Sequence, residues 1–255
     1  MASILINGAR LVCPDRVSDG WLLASDGIIR AIGTPAETPP QADEIINADG
    51  AYLFPGLIDT HVHFREPGMT HKGNIASESI AAKAGGITTV VDMPNTVPAT
   101  ATAEALREKI NIGRTSSAVD YHAFIGAGPG IVSELKSNPD LDTPGVKLFL
   151  GATTGSMRMP DEDELDELFR ICSERGMPVV VHAEDNAIIA ANTAAAIERY
   201  GSAEAVPVAM HSQIRSNAAC FTASKQIIEY ARRHNTPVTY THQTLPTTRR
   251  VKISV

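Results

Sequence analysis

The 255-residue sequence predicts an α/β protein: an incomplete (β/α)8 TIM barrel, with about six of the eight strands such a barrel needs, preceded by a small β module. Three observations predict it. From about residue 54 onward, strand-like apolar runs alternate with helical patterns, the order of repeated βα units and hence of a parallel sheet covered by helices. Residues 1–53 carry short apolar segments punctuated by Asn-Gly and Asp-Gly instead. The length is about that of one such barrel, yet only six strand-like runs fit into it.

In the first 53 residues, Ile4-Leu5-Ile6, Trp21-Leu22-Leu23 and residues 28–32 are the strand candidates. Asn7-Gly8, Asp19-Gly20, Asp26-Gly27 and Asp49-Gly50 separate them, because these residues tolerate the backbone angles of tight turns. Pro35, Pro39 and Pro40 mark a loop. Residues 51–58 are an apolar run that reads as a buried strand. The barrel strands are expected at 57–61, 88–92, 119–125, 146–150, 179–182 and 238–242, with helical patterns between them, for example at 76–84, 103–112, 161–174 and 218–234. Gly85-Gly86 and Gly176 stand where helix C-caps belong. Pro160 followed by Asp161, Glu162 and Asp163 reads as a helix start, where the dipole favours acids. The domain boundaries expected are 1–53 for the β module, 54–242 for the partial barrel and 243–255 for an atypical tail.

Composition excludes several function classes. Hydrophobic residues at 43% and charged residues at 20% suffice for a large core. A net charge of -7 and a pI near 5.6 argue against a nucleic-acid partner. Cys13, Cys172 and Cys220 lie far apart and form no C-x-x-C pair, which fits a reduced, cytoplasmic setting. No signal peptide is visible, and no window approaches 18 uninterrupted apolar residues, so no membrane association is expected.

Chemistry in a barrel of this type gathers at the C-terminal strand ends. The first strand ends in Asp59-Thr60-His61-Val62-His63-Phe64-Arg65. Alternation puts His61 and His63 on one face, half of a metal site, and Arg65 two residues on would share that face and offer a fork for a carboxylate. A bare His-x-His is usually structural, so the other strand ends must supply the rest. The second ends in Asp92-Met93-Pro94-Asn95-Thr96, the fourth carries Lys147, the fifth ends at His182-Ala183-Glu184-Asp185 and the sixth at His242. Each alone has a plain structural reading: Lys147 as an edge-strand surface residue, His182 as a hydrogen-bonded core histidine, Asn95 as a turn former. Together they converge on one mouth.

The run from Gly56 through Asp59, His61, His63, Phe64, Arg65, Glu66, Pro67 and Gly68 resembles the metal-binding signature of the cyclic amidohydrolases. Its Phe-Arg-Glu-Pro-Gly ending is similar to the dihydroorotases in particular. The motifs at Asp92 to Thr96, Gly145 to Phe149, His182 to Asp185, and His211 with Ile214-Arg215-Ser216-Asn217 stand in that family's order. The resemblance implies two zinc ions per site. His61 and His63 would hold one, His182 and His242 the other, and Lys147 as a carboxylated lysine would bridge them. Arg65 and Asn95 would bind an anionic small-molecule substrate, and Asp59 would orient a ligand imidazole. The activity implied is reversible conversion of N-carbamoyl-L-aspartate to L-dihydroorotate, a step of pyrimidine biosynthesis. It also implies that the first strands are one part of a composite β-sandwich, and it leaves self-association into homo-oligomers open.

The sequence departs from that family at its end. The family's strand-eight aspartate, its last metal ligand and general base, has no counterpart here, so no catalytic residue is assigned and little turnover is expected. Residues 243–255 are basic, lack any acid and carry Pro246, where the family continues into an acidic helix. A C-terminal truncation by a shift of reading frame near residues 237–243 would account for this. Two other readings stand beside dihydroorotase: an allantoinase or a hydantoinase/dihydropyrimidinase-type enzyme, and a non-catalytic amidohydrolase-like assembly subunit.

Overall fold

The computed structural model describes residues 2–151 and 161–240. His242 and the segment 243–255 lie outside the described residues. The chain divides into two compact units, the first ending at Leu57 and the second beginning at Ile58.

The first unit holds β1 (Ser3–Val12), β2 (Val17–Ser25), β3 (Ile28–Gly33), β4 (Glu44–Asn47) and β5 (Tyr52–Leu53). The sheet order is β3-β2-β1-β4, with β5 also on β1. β1–β2 and β2–β3 are antiparallel, while β4 and β5 run parallel to β1. Asp26 and Gly27 both have positive φ, 56° and 73°, the backbone of the two-residue turn that their sequence calls for between β2 and β3. Residues 51–58 are not one buried strand. Tyr52–Leu53 pairs with β1 and a new strand starts at Leu57. Pro55, which has no N–H to give a ladder, lies between them, and Leu57 and Ile58 are 54% and 65% exposed.

The second unit alternates strands and helices. In order these are β6 (Leu57–Val62), α1 (Ile75–Ala84), β7 (Ile87–Asp92), α2 (Ala103–Ser116), β8 (Asp120–Ala123), β9 (Ile125–Gly126), α3 (Ile131–Ser137) and β10 (Val146–Leu150). Then come α4 (Glu162–Glu174), β11 (Val179–Ala183), α5 (Asn186–Tyr200), a 3-10 turn (Val208–Met210), α6 (His211–Ile214), α7 (Asn217–His234) and β12 (Val238–Tyr240). They form a sheet β6-β7-β8 and a sheet β9-β10-β11-β12. The pairs β7–β8, β9–β10, β10–β11 and β11–β12 are all parallel, as βα repetition requires. The expected strand 119–125 is split at Phe124, whose N–H donates to the Asp92 carbonyl at 3.0 Å. Its two halves belong to different sheets. No helix among the described residues is long and apolar enough to cross a membrane.

The strands present two different faces. Val90, Tyr121, Ala123, Val146, Leu148, Val179 and Val181 join the main core with helix residues such as Leu106, Leu165, Leu168 and Ile227. The alternate residues Val91, Met93, Phe124 and Val180 form a separate small buried cluster on the opposite, inner face. Period-two alternation places Lys147, His182 and His61 on that inner face, and His63, just past the end of β6, stands between Val62, which packs against the main core, and Phe64, which belongs to it.

Carboxylates from neighbouring elements complete several helix starts. Glu134 of α3 accepts from the Ala103 N–H at the start of α2, at 2.9 Å. Glu164 of α4 accepts from the Gly130 N–H that precedes α3, at 2.6 Å. Glu66 accepts from the Ile75 N–H at the start of α1, at 2.9 Å. These N–H groups have no partner inside their own helix, and negative charge is favoured at that end.

Candidate active site

His61 and His63 stand with ring centroids 5.2 Å apart and planes 53° from each other. The Asp59 carboxylate accepts from the His61 backbone N–H at 3.0 Å, so it braces the main chain of the motif. His63 Nδ1 and Asn95 Oδ1 are 2.8 Å apart. Burial lowers the His63 pKa, against the raising effect of the Asn95 hydrogen bond, and so favours the neutral ring that a metal requires.

β6 ends at Val62, so strand alternation does not carry His63's face on to Arg65 as the sequence reading supposed. Arg65 instead adopts φ 68°, a left-handed conformation that costs a residue with a Cβ about 1 kcal/mol or more. Its Nη1 is buried with no hydrogen-bond partner among the described residues. A buried unpaired guanidinium nitrogen is expensive, and an anion would satisfy it.

The loop that carries Arg65 is packed against the loop that carries Asn95. The Val97 N–H donates to the Pro67 carbonyl at 3.3 Å. Gly68 has φ +79°, and a Cβ there would stand 1.7 Å from the Val97 carbonyl oxygen. Gly68→Ala is therefore expected to force the two loops apart and to cost roughly 1–3 kcal/mol. Urea denaturation checks this, and a midpoint equal to that of the unchanged chain would refute it.

Lys147 lies on β10, a strand buried along its whole length. Its side chain is fully buried, and desolvation brings its pKa down from 10.5 to about 8. An amine with that pKa is about a tenth neutral near pH 7. Its Nζ lies 4.9 Å from the centroid of the Phe149 ring. Phe149 pairs with His182 across β10 and β11, and their rings are 6.3 Å apart.

His182 Nε2 meets Glu184 Oε2 at 2.7 Å, and Arg215 ion-pairs with the same carboxylate oxygen. Neither Glu184 nor Arg215 had been given a role from sequence. The signal was there in the two motifs that contain them, but nothing local tells that residues 184 and 215 meet. Among the described residues no three His, Cys, Asp or Glu side chains converge. The donors stand as His61–His63 and His182–Glu184, with the Lys147 amine on the same inner face. A carboxylated Lys147 would add the anionic oxygen donor that hard and borderline cations favour. These are nitrogen and oxygen donors of the kind that metal centres use.

Comparison with known proteins agrees with the geometry. The sequence model of the amidohydrolase family matches residues 52–254. An allantoinase of Bacillus velezensis is 31% identical over 241 residues, covering 94% of this chain and 52% of that protein. A dihydroorotase of Methanosarcina acetivorans is 31% identical over 233 residues, covering 90% and 47%. The solved L-hydantoinase of Arthrobacter aurescens superposes with a TM-score of 0.83 at 26% identity, covering 94% of this chain and 52% of that one. The chain thus spans about half the length of the relatives it matches. An allantoinase and a dihydroorotase are equally similar to it, so similarity alone does not choose among cyclic amides. With its strand ends, its buried lysine and a family match over most of its length, the chain belongs to the amidohydrolase family.

Proposed function

We propose that this chain carries the metal-binding part of a cyclic amide hydrolase of the dihydroorotase type. In this reading residues 54–242 are six strands of a (β/α)8 barrel and residues 1–53 contribute to a β-sandwich. The observation that carries it is Lys147, a fully buried amine with its pKa lowered to about 8, on the face that also presents His182.

His61 and His63 would hold one zinc ion, His182 and His242 the other, with Lys147 between them. The lysine's part is specific. Its neutral amine would add to carbon dioxide with loss of a proton, and the carbamate so formed would offer oxygen donors to a metal. Zinc would supply a hydroxide near neutral pH and polarise the amide carbonyl. Asn95, with Arg65, would bind the substrate's carboxylate, and its Oδ1 also meets the ring of His63. Val91, Met93, Phe124 and Val180 keep the inner face dry below the site, which strengthens the charge interactions there. Arg65, with its buried unpaired nitrogen, favours a ring that carries a carboxylate, hence dihydroorotate over allantoin or hydantoin. The relatives' names keep those two as the second reading.

The test is to load the 255-residue chain with zinc in bicarbonate, measure bound metal, and titrate dihydroorotate, allantoin and hydantoin by calorimetry. About two zinc per chain and preference for dihydroorotate are expected. Preference for a neutral ring would move the assignment to the second reading. A chain that takes up no zinc would overturn the metal centre and leave an assembly role.

A further inference from the structure

Asp92 and Lys109 form an ion pair with both side chains wholly buried, Lys109 Nζ lying 3.1 Å from Asp92 Oδ2. Lys109 Nζ also donates to the Met93 carbonyl at 2.6 Å. Asp92 Oδ1 accepts from the Phe64 N–H at 3.1 Å, and Asp92 Oδ2 from the Tyr121 hydroxyl at 2.7 Å. Removing two charges from water is costly, and an apolar pair of the same volume often serves stability as well or better. Stability alone does not explain such a pair.

Its backbone partners do. Phe64 lies between His63 and Arg65, and Met93 lies two residues before Asn95. The pair, placed on the helix side of β7, holds the ends of β6 and β7 at two main-chain points. On the inner side of those same ends, His63 Nδ1 and Asn95 Oδ1 meet at 2.8 Å. A shift of 1 Å at either anchor would break that contact.

We infer that Asp92 and Lys109, with Tyr121, are positioning residues that set the tautomer of His63. They keep Asn95 Oδ1 where it accepts the Nδ1–H, which leaves the ring's lone pair on Nε2. The inference rests on the proposed metal role of His63 for its consequence, since a ring held in this form can ligate without first moving its proton.

The test uses the full chain without metal. A long-range proton–nitrogen NMR correlation of the histidine rings reads the His63 tautomer directly, and zinc titration follows. The unchanged chain is expected to show His63 protonated at Nδ1 alone. Lys109→Met should give an averaged or Nε2-protonated ring and a zinc affinity lower by about 10–100-fold. Tyr121→Phe, which removes one hydrogen bond and keeps the ring, should move the spectrum the same way by less, and it serves if Lys109→Met fails to fold. Ile227→Ala, a core change on α7, which contributes no residue to the network, should lower the melting temperature with the His63 pattern intact. The inference is overturned if the unchanged chain lacks the Nδ1–H form. It is also overturned if the network variants lose stability while His63 stays as it was. If His63 responds as described but no chain binds zinc, the metal assignment fails and the positioning role stands.

Discussion

Lys147→Met is expected to abolish the bridged zinc site and to leave the fold as stable as before, or more so. Methionine fills nearly the volume of the lysine stem without a charge. The native amine is fully buried, and desolvation brings its pKa to about 8, so at neutral pH the folded chain holds most of it charged at a cost. The contact with Phe149 at 4.9 Å offsets part of that, since a cation over an aromatic ring contributes about 0.5–2 kcal/mol. No carbamate can form on methionine. Bound zinc should fall from about two per chain to one or none, while the melting temperature holds or rises. Metal analysis and a thermal melt on one preparation decide it. A variant that melts many degrees lower with its metal intact would show Lys147 to be a packing residue.

Arg65→Ala is expected to weaken dihydroorotate binding to the zinc-loaded chain by about 100-fold, or roughly 3 kcal/mol, because a carboxylate held by a guanidinium fork makes two charge-assisted hydrogen bonds. Hydantoin, which has no carboxylate, should bind as before. This contrast matters more than the size of the loss. A general collapse of the loop would weaken both ligands together, whereas loss of an anion partner weakens one. Calorimetric titration of both ligands reads it, and equal losses would refute the assigned role.

Much of the second unit was legible in the sequence because its signals are local and strong. The run Val-Val-Val-His at 179–182 and the apolar residues around Lys147 read as strands, and both are buried. Helix α4 shows Leu165, Leu168, Phe169 and Cys172 buried at helical spacing. Helix α5 was missed because alanines spread around it and only Ala196 is buried, so no stripe stands out. Helix α3 was missed because it is short and starts at Gly130 with no side-chain cap. In the site, His61, His63, Lys147 and His182 each had a plain structural reading, and only their joint occurrence at strand ends singled them out. Lys109 was visible only in hindsight: it lies on the same helical stripe as Leu106, Ile110 and Gly113, where a lysine needs a buried partner. That partner, Asp92, is on another element, and helical periodicity carries no information about which strand a helix covers.

The glutamates that close neighbouring helix starts have a consequence for how the chain comes undone. Glu134 serves α2 from α3, and Glu164 serves α3 from α4. Helices α2 and α3 thus each take from the next helix a carboxylate that quiets an amide at their start. Were α4 to fray, α3 would lose its anchor, and with α3 gone α2 would lose its own. The two carboxylates thereby link three successive helices, and loss of either is expected to loosen the start of the helix before it.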